Sequence, residues 1–219
     1  MKTICEFLLK NKTAVSTQKN ECKPIDLGLK SGLLWADRNV GAENTTDAGD
    51  YFMWGSTEPN TNDICNWENF PLNNKSTHLN IQYFNSIKNA VCPNDVLTPE
   101  YDAATVILGS EWRLPTKEDF EELIDNTKHK WVENYNDSGV DGMLFTSKTN
   151  SKELFMPETG FRYGTSGART IMSTIYLWNS SLHSSAGNAF NFYCNDSNAC
   201  CMLFDDCFYG FCLRGVTKQ

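Results

Sequence analysis

Trp112-Arg113-Leu114-Pro115-Thr116-Lys117-Glu118-Asp119-Phe120-Glu121-Glu122-Leu123-Ile124 is the stretch from which the fold is read. Thr116 is a good N-cap, and Asp119 three residues on supplies the carboxylate of a capping box, so a helix starts here. Phe120, Leu123 and Ile124 then recur at i, i+3 and i+4, giving that helix one apolar face. Upstream, a shorter helix is expected over 102–108 and another over 80–92. Downstream the hydrophobic period changes to two. Residues 142–148, a Thr-Asn-Ser turn and residues 152–157 read as a hairpin, and 170–177, 188–194 and 210–216 as later strands. Helices first and short strands afterwards imply an α+β domain, not alternating βαβ units.

Further out, the segment Leu27-Gly28-Leu29-Lys30-Ser31-Gly32-Leu33-Leu34-Trp35-Ala36 reads as a turn feeding a strand. Asp50-Tyr51-Phe52-Met53-Trp54-Gly55 reads as a second apolar-aromatic segment closed by glycine. Residues 56–79, rich in Asn, Thr, Pro and Ser, form a long loop. Residues 1–24 are a polar tail or loosely tied strand, and 25–219 are one domain, in keeping with a chain of 219 residues. The net charge of −8 and only five arginines argue against nucleic acid and anionic membranes as partners, since both demand clustered positive charge. The longest apolar runs, such as 104–108, are too short for insertion into a bilayer. Lys10 and Lys12 interrupt the patch Phe7-Leu8-Leu9 before it reaches signal-peptide length.

Nine cysteines are many, and five of them (Cys194, Cys200, Cys201, Cys207 and Cys212) crowd the end of the chain. Their spacings of 6, 1, 6 and 5 are not the paired C-x2–4-C of a zinc site, and His78, His129 and His183 do not cluster. A disulfide framework spreads its staples across a fold and does not gather them in one segment. No metal and no cofactor is expected.

Residues 176–213 use an odd alphabet. They contain no Lys, Glu, Gln, Arg, Pro or Thr, although Lys and Glu together make up about one residue in eight of the chain. Asn, Ser, Cys, Phe, Leu, Tyr, Asp, Ala and Gly fill the window instead. Tyr and Phe bring contact area at low rotamer entropy, and Asn, Ser and Asp bring adaptable hydrogen bonds, which is the chemistry of a binding surface. Cys200-Cys201-Met202-Leu203-Phe204 and Cys207-Phe208-Tyr209-Gly210-Phe211 are too apolar for solvated loops. They are either core or an exposed sticky patch.

Several of these segments, in order, resemble the Fibrobacter major paralogous domain, a C-type lectin fold related to formylglycine-generating enzymes. The match is carried by Leu27–Ala36 with Asn39-Val40-Gly41-Ala42, Gly49–Gly55, Glu111-Trp112-Arg113-Leu114-Pro115-Thr116 and Phe155-Met156-Pro157 with Gly160-Phe161-Arg162. Leu177-Trp178-Asn179-Ser180-Ser181 and Leu213-Arg214-Gly215-Val216 complete it. It covers about residues 25–217. Some such domains are variable proteins of diversity-generating retroelements, in which adenines copied from a template repeat are randomised in the 3′ end of the gene. An AAC codon so treated reaches Asn, Ser, Thr, Ile, Tyr, Cys, Phe, His, Asp, Gly, Ala, Val, Leu, Arg or Pro, but never Lys, Glu, Gln, Met or Trp. Within 176–213 only Trp178 and Met202 fall outside that set.

The resemblance implies a bacterial or phage ligand-binding protein, not an enzyme, whose hypervariable region spans about 176–213. Its contact residues would be Asn179, Leu182, His183, Asn191, Tyr193, Asn195, Cys200, Cys201, Phe204, Asp205, Asp206, Cys207 and Tyr209, with Trp178 and Met202 as fixed supports. Strand parity puts Phe190, Phe192, Phe211 and Leu213 inward, and Asn191, Tyr193 and Cys212 outward. The partner is an unidentified protein or surface ligand, with cell-surface or virion display and the oligomeric state left open. Three rival readings stand beside this one. A formylglycine-type oxidase would use Cys207 and Cys212, whose spacing of five fits but whose place in the terminal strand does not. A calcium-dependent lectin would use Glu58-Pro59-Asn60, which falls too early in the chain. A non-diversified cell-envelope adhesion module would share the fold and lack the cassette.

Overall fold

The computed structural model describes residues 22–165, 169–170 and 173–218. The expected tail over 1–24 lies almost entirely outside them. In chain order the elements are β1 (Pro24–Asp26), β2 (Leu33–Asn39), α1 (Ile81–Val91), α2 (Ala103–Leu108), α3 (Lys117–Asn126), β3 (Thr127–Val132), β4 (Gly142–Ser147), β5 (Glu153–Pro157), β6 (Phe161–Arg162), β7 (Arg169–Thr170), β8 (Thr174–Leu182), β9 (Asn188–Asn195), β10 (Cys200–Asp206) and β11 (Arg214–Lys218). Among the described residues the architecture is α+β: small antiparallel sheets ordered β1-β2-β11, β3-β4-β5, β8-β9-β10 and β6-β7, with three α-helices and long irregular connections.

The helices begin where side chains can take up their free N–H groups. At α3, Thr116 Oγ1 accepts from the Asp119 N–H and the Asp119 carboxylate accepts from the Thr116 N–H at 2.7 Å, so the capping box is closed. Arg113 adds an ion pair to the same carboxylate at 2.7 Å. Asp102 caps α2 by accepting from Ala104 and Thr105, and its second oxygen accepts from Leu114 N–H at 2.7 Å, tying α2 to the Trp112-Arg113-Leu114 segment. Burial raises the Asp102 pKa in spite of those donors. Asn80 caps α1 through Tyr83 N–H.

Two apolar cores flank the β8-β9-β10 sheet. One gathers Trp35, Phe120, Leu123, Phe145, Ile175, Leu177 and Phe192, with Phe120 and Phe192 stacked at 4.4 Å. The other gathers Phe52, Trp54, Phe84, Trp178, Cys207 and Phe211, with Trp178 and Phe211 at 4.2 Å. Arg214 is fully buried where β11, β2 and β5 meet. It donates to Asn39 Oδ1, Ala36 C=O and Phe155 C=O, and desolvation lowers its pKa to about 10, which leaves it charged at neutral pH. The first and last strands of the described residues thus flank β2 in one sheet, and the Arg214 guanidinium ties β11 to β2 and β5.

Several boundaries differ from the sequence reading. β3 was unforeseen: it follows α3 with no intervening turn and carries Lys128, His129 and Lys130, so no punctuation or alternation marks it. β8 starts at Thr174 and runs on to Leu182, because a register shift after Trp178 lets it pair past the expected end. The last strand begins at Arg214. Residues 210–212 instead make single bridges to Arg162, Phe52 and Leu177 as the chain crosses between sheets. Among the described residues no helix is long and apolar enough to cross a membrane.

Candidate functional site

The β8-β9-β10 sheet sets which late side chains point where. Across its inner face run Leu177, Phe192 and Met202, in register and packed on the Trp35–Phe120 core. Across its outer face run two rows, Tyr176–Tyr193–Cys201 and Trp178–Asn191–Leu203, with Asp205 one step further on β10. The chain returning from β10 covers the lower part of that outer face. Trp178 Nε1 donates to Phe52 C=O at 3.0 Å and to Tyr209 C=O at 3.3 Å, so Trp178 is a buried platform below Tyr209. Gly210 permits the approach, since a Cβ there would meet Cys65 Sγ at 2.8 Å. Gly187, at φ 75°, turns β8 into β9 with Trp67 and Leu79 against it, and its carbonyl accepts from Cys207 N–H.

What remains open is a surface of rings and acids. Tyr176 and Tyr193 lie 5.0 Å apart, and Tyr163 and Tyr209 stack at 4.9 Å. Phe161 bridges the pairs, 5.1 Å from Tyr176 and 5.9 Å from Tyr209. Leu203 is 39% exposed and Tyr163 52% exposed at the edges. Desolvation, with the Tyr193, Asp205, Cys201 and Tyr209 groups adding to it, pushes the Tyr176 hydroxyl up to about 12. Tyr209 rises to about 12 through desolvation and then Asp205. Burial also raises the Asp205 and Asp206 carboxyls, held by Asn191 and Asn188 respectively. On the α3 side, Phe204 is 51% exposed and stacks on His183 at 3.9 Å, while Lys117 caps Phe190 at 5.4 Å.

Of the side chains expected to make contacts, His183, Tyr193, Asn195, Cys201, Phe204, Asp205, Asp206 and Tyr209 are exposed or half-buried. Asn195 spends its side chain on the β9–β10 turn, accepting from Ser197 and Ala199. Asn179, Leu182, Asn191 and Cys207 are corrections, being buried. Asn179 accepts from Trp54 Nε1 through its carbonyl and from Ser181 N–H through Oδ1, the duty of a structural amide. Leu182 packs with Trp178 and Ala189 in the Trp54 core. Asn191 does point away from Phe192, but it is fully covered and donates to Asp205. Cys207 sits in the core, where burial lifts its thiol well above the ordinary value.

Cys200 is bonded to Cys194, its direct cross-strand partner, so the crowded cysteines include one disulfide staple. Cys212, expected outward, is fully buried, and Phe190, expected inward, is only half-buried. Trp178 is buried and Met202 half-buried against the inner core. Sequence reasoning overlooked Tyr176, Leu203 and Tyr163. Tyr176 was detectable by parity, two residues before Trp178. Tyr163 was not, as it comes from outside the biased window. Glu58-Pro59-Asn60 is loop structure: Ser56 donates to Glu58 C=O and Asn60 Nδ2 donates to Ile64 C=O. Among the described residues no group of three or more His, Cys, Asp or Glu gathers as a metal site would. Comparison with family models, curated proteins and solved structures returned no match.

Proposed function

We propose that the chain is a ligand-binding protein that displays a hypervariable surface on the outer face and rim of β8–β10, diversified by adenine-specific retroelement mutagenesis, and that its frame is a C-type lectin fold of the formylglycine-generating-enzyme type. One coincidence carries the reading. Six exposed or half-buried residues over 193–209 (Tyr193, Cys201, Leu203, Phe204, Asp205 and Tyr209) all belong to the alphabet reachable from AAC codons. The two residues of the window outside that alphabet are the buried platform Trp178 and the inner-face Met202. A frame whose last strand is tied by Arg214 to β2 and β5 can carry such replacement because none of the variable groups named here is a fully buried core residue, Tyr209 alone packing partly on the Trp178–Phe211 cluster. The function proposed is recognition, not catalysis, with a protein or surface ligand as partner.

The fixed adhesion module of the same fold is favoured by a different observation. Asn179, Leu182, Asn191 and Cys207 obey the same alphabet although they are buried. DNA next to the gene separates the two readings. The display reading expects a near-copy of the 3′ end, differing from it only at adenines, beside a reverse transcriptase gene. Differences should fall in the codons of Tyr193, Cys201, Leu203, Phe204 and Tyr209 and spare Trp178 and Met202. Flanking DNA with no such copy would leave the fixed module.

A further inference from the structure

The outer face of β8–β10 combines aromatic walls with a carboxylate, Asp205, that no cation pairs among the described residues. Tyr176, Tyr193, Tyr209 and Tyr163 supply ring faces around Phe161, and Asp205 stands at their edge on the hydrogen bond from Asn191 at 2.9 Å. Among the described residues no Lys or Arg pairs with Asp205 or Asp206. The nearby Arg162 is engaged by Asp63 and lies over the Tyr51 ring at 4.3 Å. Residues 176–213 contain no Lys or Arg at all, in a chain of net charge −8. Asn191 is fully buried, and its Oδ1 has no hydrogen-bond partner, so an acceptor beside Asp205 also goes unused.

Ring faces attract cations through their quadrupole, most strongly when solvent is partly excluded. A carboxylate at the edge of the rings adds a charge-assisted hydrogen bond. We propose that this face binds an Arg- or Lys-bearing segment of a protein partner, with the cationic head over the Tyr176–Tyr193 and Tyr209–Tyr163 rings and its N–H groups directed to Asp205. The inference rests on the display reading and adds the chemistry of the ligand to it. Opposite charge also steers the encounter, because a negative molecule with an unscreened acidic patch draws a basic partner at low salt.

The probe is N-acetyl-arginine amide, titrated into the full chain and followed by NMR, with N-acetyl-lysine amide as the second cation. N-acetyl-citrulline amide serves as the neutral copy of the arginine shape. The two cations should bind saturably in the millimolar range and shift resonances of Tyr176, Tyr193 and Tyr209. Citrulline should bind about tenfold more weakly, a difference of about 1.4 kcal/mol. Asp205→Asn should weaken the arginine compound about tenfold, and Tyr193→Ser should weaken it about threefold, within the range of one exposed cation–π contact. Tyr193→Ser removes a half-exposed ring, so it keeps the test readable if Asp205→Asn fails to fold. Equal binding of citrulline, shifts confined to other surfaces, or a flat titration would overturn the proposal. A flat titration beside a template repeat would sink this inference alone, whereas a missing repeat would sink diversification without altering the arginine result.

Discussion

Asn191 reaches across the β9–β10 pair and donates its side-chain N–H to the Asp205 carboxylate at 2.9 Å. The amide was expected in solvent, yet it is buried, and its work is to hold an acid at the edge of the tyrosine surface. Asp205 has a raised pKa in the fold because burial outweighs that hydrogen bond. Between the unfolded value near 3.8 and the raised folded value, the native state keeps a proton that the unfolded chain has lost. Stability therefore falls as pH rises through that window, and the charged form is a liability at neutral pH. Asp205→Asn, whose amide oxygen can still accept from Asn191, should raise the thermal midpoint at pH 7. The gain should shrink as pH is lowered toward 3.8. Equal or lower stability at pH 7 would contradict this. Together with the arginine titration, the variant should show binding and stability moving in opposite directions.

The Cys194–Cys200 bridge closes a loop with a sequence separation of 6, so it restricts the unfolded chain only modestly. By loop-closure entropy it is worth about 2 kcal/mol. Cys194→Ser, Cys200→Ser paired with it, or added reductant should lower the thermal midpoint by about 5 °C. Mass spectrometry with thiol labelling should find that bond in the oxidised protein, and Cys201 labelled most readily as the exposed thiol.

Arg214 is fully buried and has three acceptors from β2 and β5. Removing the guanidinium leaves Asn39 Oδ1 and two carbonyls unpaired in the interior, a loss of about 3 kcal/mol or more. Arg214→Lys retains the charge but not the planar fork, so it should rescue only part of that loss. Urea unfolding of Arg214→Met and Arg214→Lys beside the parent checks both statements. Equal midpoints for all three would show that the tie from β11 to β2 and β5 is not needed.

The α3 cap is a smaller and local term. Thr116→Ala should cost about 1 kcal/mol. Asp119→Ala should cost more, since Asp119 also holds Arg113 and returns the hydrogen bond to Thr116 N–H. Both are read in the same unfolding experiment.

Much of this frame was legible because local chemistry and tertiary need agreed. Thr116 and Asp119 announce α3, and Phe120 and Leu123 on its face are core residues. The hairpin of β4 and β5 followed from two short apolar runs, Met143-Leu144-Phe145 and Leu154-Phe155-Met156, on either side of a polar turn. The failures lie where polarity misleads. Asn179 and Asn191 read as surface amides, yet each is buried with hydrogen bonds that only the fold supplies. β10 gave no alternation because both of its faces are partly open, with Leu203 and Phe204 exposed on opposite sides. Cys212 was assigned outward by parity counted within a regular strand, but the chain there crosses between sheets and has no single pair of faces.

The account depends on a division within the late strands between groups that hold the frame and groups that are presented. A pool of chains carrying AAC-derived codons at Tyr193, Cys201, Leu203, Phe204 and Tyr209 together tests it, with thermal unfolding read across many members. Most members should unfold cooperatively within a few degrees of the parent, because none of those side chains is fully buried and only Tyr209 packs on a core cluster. The same codons at Phe192, which stacks on Phe120 at 4.4 Å, should abolish the transition or lower it steeply, by about 3 kcal/mol or more for the smallest residues. Equal damage from both pools would contradict the account.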